Sequence, residues 1–164
     1  MTLRAMTDPD VPQVVAIQEP ASIVALASVF PQAEFPFPRD DVAGRWLEEI
    51  GTPGIDCHLV VNGETVVGFA AIRDDEMLHF GIAMEHWGSG IAQRAHDAVI
   101  DRMRRRGVVR AWLRVFTGNG RGRAFYERLD WRSTGERTRS TFAPNPELLR
   151  YERNLEDSSA MVHE

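Results

Sequence analysis

Met77-Leu78-His79-Phe80-Gly81-Ile82-Ala83, then Trp87-Gly88-Ser89-Gly90-Ile91-Ala92, then a run from Gln93 to Arg106, is the stretch that decides the fold. The first part is mostly apolar and of strand length. In the last, Ile91, Ala95, Val99 and Met103 recur at helical spacing and form one apolar stripe. Gly107 supplies a stop for that helix. Strand, glycine turn and helix together make a device for holding an anion. Glycine lacks a β-carbon, so the backbone can approach a ligand closely. The free N–H groups of the first helical turn point outward, and the helix dipole favours negative charge there. The pattern predicts a phosphate or pyrophosphate over Gly88 to Ala92. A P-loop needs Gly-Lys-Ser/Thr, and this chain has Gly90-Ile91-Ala92. A dinucleotide fingerprint needs a third glycine, and Gln93 occupies that place. A glycine turn that merely joins a strand to a helix has the same composition.

The chain of 164 residues has a net charge of −5 and one cysteine, Cys57. That length suits one domain with a real core. The acidic balance argues against general nucleic-acid affinity. Met1-Thr2-Leu3-Arg4 opens no signal peptide, and no apolar run is long enough to span a bilayer. A single cysteine excludes an internal disulfide and fits a cytoplasmic location. Cys57 reads as a small core residue rather than a nucleophile. No Cys/His cluster has metal-ligand spacing, so no metal is expected.

Thr2 to Met6 reads as a first strand, and Thr7-Asp8-Pro9-Asp10 as a capped turn. Val11, Val14, Val15 and Gln18 form a helical pattern that Glu19-Pro20 is expected to interrupt, because the residue before proline disfavours helix. A second apolar segment runs from Ile23 to Phe30. Pro31, Pro36 and Pro38 then stiffen a loop carrying Phe35 and Phe37, which read either as core caps or as the wall of an acceptor pocket. Arg39 to Ile50 is a helix, with Val42, Trp46 and Ile50 spaced by four. Cys57 to Val61 and Thr65 to Ile72 are strands joined by Asn62-Gly63, a hairpin signal. Arg73-Asp74-Asp75 turns into a central strand from Glu76, and Val108 to Phe116 is the fifth strand. Trp131 to Thr141 and Leu148 to Leu155 read as the last two, joined by Pro144-Asn145-Pro146. Residues 1–155 are expected to form one domain and 156–164 a loose tail.

The fifth strand leads into Thr117-Gly118-Asn119-Gly120-Arg121-Gly122-Arg123-Ala124-Phe125-Tyr126-Glu127-Arg128-Leu129-Asp130-Trp131. Together with the glycine turn, this stretch resembles the two signatures of the GCN5-related N-acetyltransferases. The first signature is Gln/Arg-x-x-Gly-x-Gly/Ala. Gly90 and Ala92 match its last two anchors, and Trp87 stands where Gln or Arg is usual. The second is Asn-x-x-Ala-x-x-Leu-Tyr-x-Lys-x-Gly-Phe. Asn119 and Tyr126 match in identity and separation, Phe125 and Arg128 match in type, and Gly122, Asp130 and Trp131 depart.

The resemblance implies an α/β (α+β) acyl-CoA N-acyltransferase fold. Its mixed sheet of six or seven strands is flanked by helices and splays between the fourth and fifth strands. The pantetheine of acetyl-CoA would fill that gap, with Ile82, Ala83, Met84, Trp87, Gly88, Ser89, Gly90, Ile91, Ala92, Asn119 and Tyr126 around it. A backbone N–H near Ile82 to Met84 would face the developing oxyanion. The implied activity is acetyl transfer to a primary amine by direct attack on the thioester, with Tyr126 as general acid. A homodimer would be ordinary for such a family. Glu76 and His79 are the residue-based candidates for the base. They are an odd number apart, so in a regular strand they face opposite ways. Arg94, Arg121 and Arg123 are candidate phosphate partners, whereas Arg104-Arg105-Arg106 suits a helix C-terminus. The competing reading is an acyl-CoA-binding regulatory or interaction module without catalysis.

Overall fold

A computed structural model describes residues 1–156. The expected loose tail lies, Glu156 apart, outside the described residues. The elements in chain order are β1 (Thr2–Ala5), α1 (Val11–Ala25), α2 (Arg39–Ile50), β2 (Ile55–Asn62), β3 (Thr65–Arg73), β4 (Glu76–Ile82), α3 (Ile91–Arg105), β5 (Arg110–Phe116), α4 (Gly120–Arg128), β6 (Arg132–Arg139) and β7 (Glu147–Asn154). They build one seven-stranded sheet in the order β1-β2-β3-β4-β5-β7-β6. The Asn62-Gly63 hairpin forms as its sequence predicts, with Asn62 opposite Thr65 and Gly63 at φ +66°.

One junction of this sheet differs from the rest. β4 and β5 run parallel, joined through α3, and pair only where Glu76 lies opposite Trp112. Beyond that point the two strands diverge. The closed end is clamped by the β3–β4 turn, where Trp112 donates its backbone N–H to Asp75 O at 3.1 Å and its indole N–H to Asp75 Oδ1 at 2.9 Å. The sheet is therefore a fork, and the polar edges of its two prongs have lost their strand partner. Backbone groups left this way need another partner.

Each face of the fork carries its own core. On one, Ala95, Val99, Ile100 and Met103 of α3 pack on Ala70, Ile72, Met77, Leu113, Val115 and Tyr151. This is the stripe read from the sequence. On the other, α1 and α2 bring Val11, Val14, Val15, Val42 and Trp46 against Leu59, Phe69 and Ala71.

Two expectations are corrected. Glu19-Pro20 does not interrupt the first helix: α1 runs through Pro20 to Ala25. Proline deprives the Ala16 carbonyl of its N–H partner, but side-chain ties hold the helix on α2 just before the proline. Trp46 donates its indole N–H to Gln18 Oε1 at 2.8 Å, and Arg39 grips both oxygens of Glu19 at 2.7–3.0 Å. Tertiary contacts here outweigh local propensity. The second correction concerns β4. Its pairing with β3 slips, so that Ala71 faces His79 but Ile72 faces Met77. The bulge adds one residue to β4 and cancels the odd spacing. His79 therefore shares the α1–α2 face with Arg73, the β3 partner of Glu76.

Two buried histidines make stability depend on pH. His58 is 6 % exposed and both its ring nitrogens lack a partner among the described residues. Burial, then the nearby Arg102, push its pKa below the ordinary value. His96 is fully buried and shifted down for the same first reason. Both are neutral in the fold, whereas the unfolded chain takes up these protons below about pH 6.5. Stability is therefore complete above that pH and falls as the pH drops below it. We expect the melting temperature to decline between pH 7 and pH 5. His58→Leu should raise it by about 2–4 °C at pH 7, through removal of a buried unsatisfied group, and by more at pH 5. Calorimetric melts across pH check both.

Candidate active site

The diverging prongs enclose a cleft of about 950 Å³. β4 contributes residues from Met77 to Ile82, β5 contributes Leu113 to Phe116, and α4 contributes Tyr126. Ala21, Ser22 and Ala25 of α1 form a third wall. The cleft runs to the turn before α3, where Gly88, Gly90 and Ala92 line its end. Gly90 caps α3 with φ +86°, and Gly88 has φ +77°. Side chains at these angles would be strained, so the turn requires glycine. The N–H groups of Gly88, Gly90 and Ala92 donate to no protein acceptor among the described residues. They sit at the positive end of a 15-residue helix, which makes the turn an anion cradle.

Trp87, the departure from the family signature, braces this turn. Its indole N–H donates to Ile82 O at 3.0 Å, and the Arg121 guanidinium lies 4.0 Å over its ring. Arg121 comes from α4, so the cation–π contact joins the two prongs at the cradle. It also sets a cation beside the free N–H groups. Arg123 points elsewhere, donating to Tyr151 Oη at 3.1 Å and Thr117 O at 3.2 Å.

The residues that the resemblance placed around acetyl-CoA fall into two sets. Ile82, Trp87, Gly88, Gly90, Ala92, Asn119 and Tyr126 line the cleft, whereas Ala83, Met84, Ser89 and Ile91 are not part of its lining. Ala83 spends its N–H on Val67 O at 2.8 Å, so that amide is not free for an oxyanion. Asn119 works as the α4 cap: its side chain accepts from Gly122 N at 2.9 Å. That cap explains the glycine at 122, since a β-carbon there would stand 2.5 Å from Asn119 Nδ2. Asp130, in the place of the family's glycine, takes φ +69° itself, a conformation aspartate tolerates better than most residues.

Tyr126 is half-buried against Phe125 and Trp131, with ring centroids 5.3 and 6.0 Å away. Burial pushes its phenol above the ordinary value, so it carries its proton at any working pH. Cys57 is 7 % exposed and its thiol is pushed up to about 12, by burial first and then by Glu49 and Asp56. It is a core residue, not a nucleophile.

A second cavity, of about 670 Å³, opens on the α1–α2 face. Phe35 and Phe37 line it, with Trp46, Phe142 and Leu148. It meets the cleft at a waist of Leu78, His79, Arg114 and Phe116, which line both. At the waist His79 Nε2 lies 2.7 Å from Glu49 Oε2, and its ring centroid lies 4.9 Å from that of Trp46 with the planes tilted by 59°. Glu76 is 2 % exposed. Its Oε1 receives Arg73 at 2.7 and 3.2 Å, and its Oε2 lies 3.5 Å from Arg114. Sequence reasoning missed Glu49, Arg45, Arg139 and Phe142. They come from α2, the end of β6 and the β6–β7 connection, and no local pattern ties them to β4.

Comparison with known proteins agrees with this architecture. Residues 21–131 match the profile described as "Acetyltransferase (GNAT) family". Among solved structures, a PaiA N-acetyltransferase from Thermoplasma acidophilum, crystallised with coenzyme A, aligns with TM-score 0.71 at 15 % identity over 93 % of this chain and 97 % of that one. A GCN5-related N-acetyltransferase from Rhodopseudomonas palustris aligns with TM-score 0.70 at 14 % identity, over 93 % and 94 %. An acetyltransferase from Thermus thermophilus aligns with TM-score 0.65 at 19 % identity, over 94 % and 97 %. No curated protein sequence matches significantly. With the profile spanning well over half its length and the fork in place, the chain belongs to the acetyltransferase (GNAT) family.

Proposed function

We propose that the protein transfers the acetyl group of acetyl-CoA to a primary amine by direct attack on the thioester. The observation that carries this reading is the cleft itself: two unpaired strand edges lead to an anion cradle at one end and open into a second cavity at the other. The cradle N–H groups of Gly88, Gly90 and Ala92, with Arg121 beside them, suit a pyrophosphate. The free edge of β4 suits the amides of an extended pantetheine, which would add to the sheet as a short strand.

The catalytic assignments follow from the waist. Glu76 loses the base role, because guanidinium groups hold both its oxygens and it lies at the closed end of the fork. His79 takes it. Glu49 accepts the Nε2–H and leaves Nδ1 with a free lone pair, while Trp46 fixes the ring. An amine arrives as an ammonium ion. His79 Nδ1 removes one proton, and the neutral nitrogen attacks the thioester carbonyl. The C–N bond forms and the C–S bond breaks. Tyr126 gives its proton to the departing sulfur and recovers one from the adduct nitrogen, so the products are the amide and CoA thiol. With the Ala83 amide spent, the oxyanion falls to an N–H on the β5-facing edge of β4.

Gly90→Glu places bulk and negative charge in the cradle. Titration calorimetry should show micromolar acetyl-CoA binding to the wild type and none to this variant. Gly90→Ala, equally strained but uncharged, should keep most of it. No binding to the folded wild type would end the acetyltransferase reading. Binding without thiol release for any amine would favour the non-catalytic module.

His79→Gln should lower kcat by about 10²–10⁴ near neutral pH. The loss should shrink as pH rises toward the pKa of the amine, which then deprotonates in solution. Tyr126→Phe should lower kcat more than it weakens acetyl-CoA binding. Steady-state thiol-release assays over pH, beside calorimetry, test both. A pH-independent defect in His79→Gln would remove His79 as the base.

A further inference from the structure

The second cavity has a charge pattern that names the acceptor more closely. Four arginines line it: Arg45, Arg73, Arg114 and Arg139. Buried Glu76 lies between Arg73 and Arg114 and offsets one of them. Glu48 and Glu49 also line the cavity. One positive charge is left over, on a chain whose net charge is −5. The arginines that carry the surplus are Arg45 and Arg139. Neither Arg45 nor Arg139 has a carboxylate within ion-pair distance among the described residues.

Arg45 is also held in place. It donates from Nη2 to Thr141 Oγ1 at 3.0 Å, and its guanidinium lies 4.5 Å over the Phe142 ring. Arg139 donates one N–H to Asn145 O at 3.2 Å. Each keeps further donors for a ligand. A planar guanidinium fixed by a stacked ring suits two-point recognition of a carboxylate. One helical turn along α2 from Arg45, at the waist, the Glu49–His79 pair suits an ammonium. The aromatic faces of Phe35, Phe37 and Trp46 line the same cavity. The cavity volume is that of a small-molecule site.

Resting on the acetyltransferase reading, we propose that the acceptor is a small aminocarboxylate with an apolar or aromatic body. Its amine lies at the Glu49–His79 pair and its carboxylate on Arg45 and Arg139.

Thiol release with acetyl-CoA tests this on matched pairs: phenylalanine against phenethylamine, and leucine against isopentylamine. Each pair differs only in the carboxylate. In the wild type kcat/KM should favour the amino acid by about tenfold or more. Arg45→Ala and Arg139→Gln should each collapse that ratio toward one, mainly through KM, while acetyl-CoA affinity by calorimetry stays within about twofold of wild type. Arg45→Lys, which keeps charge but not the planar fork, should retain part of the preference. Decarboxylated amines turned over as well as the amino acids would overturn the proposal. So would arginine variants that lower both members of a pair equally, or turnover of neither member by a protein that binds acetyl-CoA. Failure to bind acetyl-CoA at all would strike the acetyltransferase reading instead.

Discussion

Glu76 is the pin of the fork. It is the one β4 residue opposite β5, it is buried, and its carboxylate carries Arg73 from β3 and Arg114 from β5. Three strands are thus tied through one side chain at the point where the prongs begin to part. Both arginines reach solvent, so the cost of breaking the set falls on the buried carboxylate, which would be left uncompensated. With the closed end fixed, the prongs can stay apart without a strand between them. Trp87 and Arg121 then set the spacing at the other end. The cleft is a consequence of two clamps and a missing strand, not of a hole in the core.

Much of this was legible in the sequence because it is local. The Asn62-Gly63 hairpin, the α3 stripe and the glycine turn each need only their own neighbours in the chain. The motif residues Gly90, Ala92, Asn119 and Tyr126 all stand on the cleft. What escaped reading depends on partners far away in sequence. Pro20 stays helical because Trp46 and Arg39 hold α1 from another helix. The β4 bulge reverses the facing of His79, and alternation counted along one strand cannot detect a slip in pairing. Glu49 became relevant only when α2 was laid beside β4.

The departures from the family signature also find local reasons. Gly122 leaves room for the Asn119 cap, and Asp130 takes the left-handed turn that glycine would take more cheaply. Trp131, in place of phenylalanine, donates its indole N–H to His96 Nε2 at 2.9 Å and so ties the chain entering β6 to α3. Of these, Trp131 alone adds a side-chain polar contact.

The waist shared by the two cavities bears on the order of events. On the proposed reading, donor and acceptor approach it from different sides, one past α3 and α4, the other past α2 and the β6–β7 connection. Neither reactant stands in the other's doorway. The chain's one cysteine is buried with its thiol held protonated, so it cannot store an acetyl group between visits. On that reading both partners occupy the protein together. A molecule arranged this way works as a passage with two doors that meet at His79, rather than as a pocket that must empty before it refills.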